Sequence, residues 1–175
     1  MITSPAVERL LTELDHARLL TLARQTAPSR AAHDLAELLL DADTVPSRQV
    51  PAHIVTMYSQ VRVRDRQTGA QRKLSICYPA DVDAVAGFVS VLSPAGRSLL
   101  GLSPGGIAEW PTPDGGIVSV ELMEILFQPE ASGDFNALIL DVALACKVIA
   151  HQVALGPLAG NHGAAGATNV QGEDQ

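Results

Sequence analysis

The apolar residues change their period once along this chain, and that change sets what the chain can build. Through Leu14, Ala17, Leu20 and Ala23, and again through Ala32, Leu35, Leu38, Leu39 and Ala42, they recur every three or four positions, as one face of a helix requires. Between Ile54 and Gln128 short β-branched runs take over, with Val61 and Val63 alternating with Gln60, Arg62 and Arg64. Helices followed by a sheet make an α+β chain, and 175 residues suffice for one compact domain with helical appendages.

Thr26-Ala27-Pro28-Ser29 interrupts the first helical run, and a second starts at about Ser29. Two starts compete for the first helix: Ser4 with Pro5 at the first helical position, or Thr12 with Asp15 as a capping box. The short link predicts an antiparallel helical hairpin, a short coiled coil over residues 1–45, whose tip is Ala27, Pro28, Ser29 and Arg30. At about 1.5 Å per residue each arm is roughly 20 Å long. Residues 46–53, with Pro46 and Pro51, read as a linker.

Strands are expected over 54–64, 73–78, 88–92, 107–111 and 117–128, several of them antiparallel, with a turn at Thr68-Gly69. Ser93-Pro94 starts a short helix that Gly101 stops. Alternation predicts one face of the last strand to carry Val118, Val120, Leu122, Glu124 and Leu126. This sheet domain runs over 54–133.

Beyond it, Phe135, Ile139, Val142, Cys146, Ile149 and Val153 are spaced 4, 3, 4, 3 and 4, a heptad seam on a helix over 134–156. Asp141 and Lys147 inside it would each cost about 2.5–3.5 kcal/mol at a bilayer centre. The helix is therefore expected to dock on the body or on a second copy, giving a homo-oligomer, and no membrane partner is expected. Residues 157–175, rich in Gly and Ala, are expected to be a disordered tail.

Catalytic signatures are missing. There is no phosphate-binding glycine loop, no nucleophile elbow and no C-x-x-C, and the five histidines include no H-x-x-x-H pair. No catalytic residue, metal or cofactor is expected. His33, Glu37 and Asp41 fall at i, i+4 and i+8 with Asp34 beside them; a solvated helix face explains them better than a cation or proton-transfer site. Cys77 and Cys146 form no disulfide framework, and the acidic N-terminus is unlike a secretory signal, so a cytoplasmic protein is expected.

Charge supplies the useful anomaly. Five of the twelve basic residues, Arg62, Arg64, Arg66, Arg72 and Lys73, lie within one predicted strand pair, in a chain of net charge −7. Such a ribbon suits electrostatic contact with an acidic protein surface or phosphates; it also suits an ordinary hairpin protected from edge pairing. Aromatics at 3% leave little for base stacking, so no sequence-specific nucleic-acid partner is expected.

Val55-Thr56-Met57, Tyr78-Pro79-Ala80-Asp81, Ser90-Val91-Leu92-x-Pro94, Leu99-Leu100-Gly101-Leu102 and Gln128-Pro129-Glu130-Ala131 together resemble the C-terminal domain of the bacterial Gre transcript-cleavage factors, and within that superfamily the Rnk-type regulators. The resemblance implies an FKBP-like β-sheet domain docking on RNA polymerase near the rim of its secondary channel, with the hairpin aimed at the channel. In Gre factors, carboxylates at the hairpin tip hold a metal ion that promotes RNA cleavage; no acid stands in the tip here. The resemblance thus implies a non-enzymatic regulator competing with Gre factors. Ser93 and Pro94 align with the polymerase contact, but Leu92 replaces the acid that often precedes it. Two other readings stay open: an oligomeric scaffold organised by the last helix, and a prolyl isomerase.

Overall fold

The computed structural model describes residues 8–133. The seam of Phe135, Ile139, Val142, Cys146, Ile149 and Val153, and the tail expected over 157–175, lie outside the described residues. The chain forms β1 (Leu10–Thr12), α1 (Glu13–Gln25), α2 (Arg30–Asp41), β2 (Asp43–Val45), β3 (Gln60–Asp65), β4 (Gln71–Cys77), β5 (Phe88–Ser90), α3 (Pro94–Leu99), β6 (Ile107–Pro111) and β7 (Ile117–Phe127). This is a mixed α+β fold.

Both hairpin helices begin at side-chain caps. The Thr12 hydroxyl oxygen accepts the Asp15 amide at 2.9 Å, and the Ser29 hydroxyl oxygen accepts the Ala32 amide at 3.2 Å, satisfying donors that the first turn leaves orphaned. Of the two competing starts, Thr12 is the one used. The apolar face of the hairpin turns inward: Leu19, Leu35 and Leu39 belong to the same core as Val55, Met57, Val61, Ile76, Leu99 and Leu100. Full burial of a Leu contributes about 1.5–3 kcal/mol. The inward leucines of the hairpin thus share one core with the sheet domain, and α2 meets α3 there.

Two short strands escaped the sequence pattern. β1 and β2 pair in parallel, Leu10 with Asp43 and Thr12 with Val45, so the chain on either side of the hairpin is stitched together at its base. Three-residue strands show no alternation to detect, and β2 occupies the last residues of the stretch expected to be the helical hairpin.

The main sheet has the order β5-β4-β3-β7-β6. β3 pairs antiparallel with β4 and β7, and β6 with β7, whereas β5 pairs parallel with β4. A turn at Pro79–Asp81, and Asp83 accepting the amides of Val85 and Ala86 at 3.1 Å, bring the chain back alongside β4 in the same direction.

Two expected strands need correction. Residues 54–59 are not the start of β3 but a buried turn: the Ser59 hydroxyl oxygen accepts the Thr56 amide at 3.0 Å, and Tyr58 stands at φ 62°. Short hydroxyl side chains offered the backbone a local partner, and that outweighed the β-branched composition. In β7, alternation holds through Val118, Val120 and Leu122 and then slips. Val63 pairs with Leu122 but Arg62 pairs with Glu124, a bulge that changes the phase. Ile125 and Phe127 therefore pack on the core, in place of Glu124 and Leu126. A second register shift follows at Gln60/Val61, and the sheet curls around α3.

Candidate interaction surface

α3 is set by its first and last residues. The Ser93 hydroxyl accepts the Gly96 amide at 3.1 Å and donates to the Ser90 carbonyl at 2.6 Å, and Pro94 fills the first helical position. Gly96 crosses β5 so closely that a Cβ there would overlap the Ser90 carbonyl oxygen. Pro94 is thereby left exposed on a rigid corner, with Ser93 and Leu92 half-buried beside it.

Arg97 joins this corner to the hairpin. One of its nitrogens donates to the Leu92 carbonyl and the other to Asp34 of α2 at 2.8 Å. Only 12% of the Arg97 side chain and 31% of that of Asp34 are exposed, and burial lowers the arginine's pKa, with Asp34 opposing the shift. From the other side, the Arg9 guanidinium donates to the carbonyls of Arg97, Ser98 and Leu100, closing the C-terminal end of α3. Neither arginine stands out in the sequence, because their partners lie about sixty and ninety residues away.

The hairpin tip, Ala27, Pro28, Ser29 and Arg30, is exposed. The neighbouring charges are already engaged: His33 Nε2 lies 3.2 Å from Glu37, and Arg30 lies 3.9 Å from Asp34. Among the described residues no group of three or more His, Cys, Asp or Glu side chains is arranged to hold a metal ion.

The basic ribbon is partly paired. Arg62 meets Glu124 at 2.5 Å, Arg64 meets Glu121 at 2.6 Å, and Arg66 lies 4.0 Å from Glu109. Lys73 sits opposite Arg62 and shares its face; Arg72 sits opposite Val63 and therefore lies on the other face, since consecutive strand residues alternate. The expected five-residue patch is thus split in two, and its acidic partners arrive from β6 and β7, which spacing within β3 and β4 could not reveal.

Arg72 stands instead at a cleft of about 190 Å³ in the concave face of the sheet, floored by Val63, Leu74, Val118 and Val120 and walled by Trp110 and Ala95. Asp65 faces Arg72 there and accepts the amides of Gln67 and Thr68 at 2.8 Å, which holds its carboxyl below its ordinary pKa.

Two acids are buried where the hairpin meets the sheet. Asp15 of α1 is 2% exposed and accepts the Met57 amide at 3.2 Å; Glu130, after β7, is 8% exposed and accepts the Thr56 hydroxyl at 2.7 Å. Burial raises Asp15 to about 6, against hydrogen bonds from Met57 and Thr12 and the charge of Arg18. Burial likewise raises Glu130 to about 7, against the Thr56 bond and aided by the charge of Asp15. In the sequence these residues read only as half of a capping box and as part of Gln-Pro-Glu-Ala.

Residues 50–127 match the family model "Transcription elongation factor, GreA/GreB, C-term". A protein of Escherichia coli (strain K12) described as "Regulator of nucleoside diphosphate kinase" is 34% identical over 130 residues, which are 72% of this chain and 94% of that one. The chain belongs to the GreA/GreB family. A solved structure, the prokaryotic transcription elongation factor GreA/GreB from Nitrosomonas europaea, superposes with a TM-score of 0.59 at 34% identity, covering 69% of this chain and 98% of that one. A 48-residue stretch is also 67% identical to a class 1 fructose-1,6-bisphosphatase of Hydrogenophilus thermoluteolus; it spans 13% of that protein, too little to carry its activity here. The family model covers the segment from residue 50 through the end of β7, residues 50–127.

Proposed function

We propose that this GreA/GreB-family chain is a regulator that docks on bacterial RNA polymerase at the rim of the secondary channel and does not stimulate transcript cleavage. In this reading the FKBP-like sheet domain, residues 54–133, is the anchor, and the coiled-coil hairpin, residues 1–45, reaches the channel through the linker at 46–53. The corner made by Ser93 and Pro94 is the docking contact, and Arg62, Arg64, Arg66 and Lys73 supply electrostatic support along the sheet face. The apolar segment 134–156 and the tail 157–175 are a further module, for which a homo-oligomer seam remains the reading.

The observation that carries the absence of cleavage is the composition of the tip. A metal ion delivered to a polymerase active centre needs carboxylate oxygens at the apex of the hairpin. Ala27, Pro28, Ser29 and Arg30 offer only hydroxyl and guanidinium groups there. The nearest carboxylates, Asp34 and Glu37, lie one and two turns down α2 and are engaged with Arg97 and His33. The residues do not fit the metal, so the chain occupies the channel entrance and supplies no chemistry there.

Retention of full-length protein on immobilised bacterial core polymerase tests the docking. Binding at low salt that Pro94→Arg abolishes supports it; no retention of the unaltered protein at low salt overturns it.

A further inference from the structure

We propose that the joint between the hairpin and the sheet domain is a proton-operated clasp, in which Asp15 and Glu130 hold the Thr56–Ser59 turn from opposite sides and release it when both are ionised. The proposal concerns the free protein and does not depend on what the chain docks to.

The geometry places two acids from distant parts of the chain on one short turn. Asp15 belongs to the first turn of α1, and Glu130 to the segment after β7; the first takes the Met57 amide and the second the Thr56 hydroxyl. Thr56 is bonded in turn to Ser59, whose hydroxyl oxygen lies 3.0 Å from both the Thr56 amide nitrogen and Oγ1. The turn also holds Tyr58 at φ 62°, a left-handed conformation that costs energy in a bulky residue. A strained turn gripped by two carboxyls is built to have two states.

The neighbouring charges leave the acids undercompensated. Arg18, one turn along α1, acts on Asp15 and divides its charge between that carboxyl and the Tyr78 hydroxyl. The neighbouring His16 points away, its Nε2 3.0 Å from the Leu39 carbonyl of α2. Tyr58 directs its hydroxyl to Asp81 at 2.6 Å, and Tyr78, whose ring lies 5.7 Å from that of Tyr58, is itself pushed towards its neutral form by burial and by Asp15. Among the described residues no cation offsets the burial of Glu130, and Asp15 opposes its ionisation. Both carboxyls consequently hold protons more tightly in the closed joint than they would in water.

Hydrogen exchange on the full chain at pH 5.5 and 8.0, corrected for the intrinsic rate, reads the clasp directly. Protection of α1 and of 54–59 is expected to fall about tenfold or more as pH rises, by linkage of opening to ionisation. Glu130→Gln keeps an acceptor for Thr56 and is expected to remove most of that fall; Asp15→Asn serves as the second variant should the first not fold. No fall, or a full fall persisting in the variants, overturns the proposal.

Discussion

Arg97 of α3 donates to Asp34 of α2 at 2.8 Å while its other nitrogen serves the Leu92 carbonyl, so one side chain fixes both the hairpin and the chain entering the Ser93-Pro94 corner. Loss of that side chain frees α2 from α3 and uncaps Leu92 together. Arg97→Ala is expected to cost about 1–2 kcal/mol, discounted from a fully buried pair because Asp34 stays partly solvated. A double-mutant cycle with Asp34→Ala in urea should return a coupling near 1 kcal/mol. Strict additivity would mean that the pair contributes nothing.

Gly96 is the least replaceable small residue of the domain. Its close approach to the Ser90 carbonyl oxygen involves backbone on both sides, so nothing flexible can move aside for a methyl group. Gly96→Ala should cost about 3 kcal/mol, at the upper end for overpacking. Gly101 differs: at φ 77° it ends α3, and Gly101→Ala should cost about 1–2 kcal/mol, from backbone strain together with mild crowding of the Cβ on Arg9 and Leu10 at 3.1–3.4 Å. Thermal unfolding of the two variants should preserve that order.

Stability should depend on pH in an unusual direction. Asp15 and Glu130 have folded pKa values raised to about 6 and about 7, so the stability linked to their protonation is complete below the unfolded values near 4. It is lost as pH rises through about 6 and about 7. Asp65 and Asp114 are shifted down and act oppositely, their contribution present above the unfolded value and lost only below it, in a separate acidic window. Urea midpoints should therefore fall between pH 5 and pH 8, and Glu130→Gln should flatten that slope. A midpoint that climbs over the same range contradicts the assignment.

The split basic ribbon predicts unequal charge variants. Lys73 has no ion pair among the described residues, whereas Arg62 and Arg64 are held by Glu124 and Glu121. If the ribbon supports docking, Lys73→Glu should weaken polymerase binding with a strong salt dependence, while Arg72→Glu, on the opposite face, should change it little. Titration at two ionic strengths distinguishes them; equal losses would mean that sheet-face placement is irrelevant.

Local signals carried the hairpin and most of the sheet. Thr12 and Ser29 capped where short polar residues precede helical spacing, and Ile107–Pro111 and the start of β7 stood where alternation put them. What escaped depends on contacts distant in sequence. The bulge after Leu122 is defined by β3, the grip on the locally bonded Thr56–Ser59 turn by Asp15 and Glu130, and the β1–β2 pair by closure of the hairpin base. The Ser93-Pro94 corner could be read from its motif, but Arg97, Arg9 and Asp34, which position it, could not. Their roles exist only once α2 lies on α3.

The central claim is that the chain occupies the polymerase channel entrance without delivering a metal. A backtracked elongation complex, treated with a cleavage-competent Gre factor and increasing amounts of this protein, tests it most directly. The account predicts no RNA shortening by this protein alone and a dose-dependent loss of Gre-stimulated cleavage, relieved by Pro94→Arg. Cleavage stimulated by this protein alone, or Gre activity unaffected at saturating amounts, would contradict it.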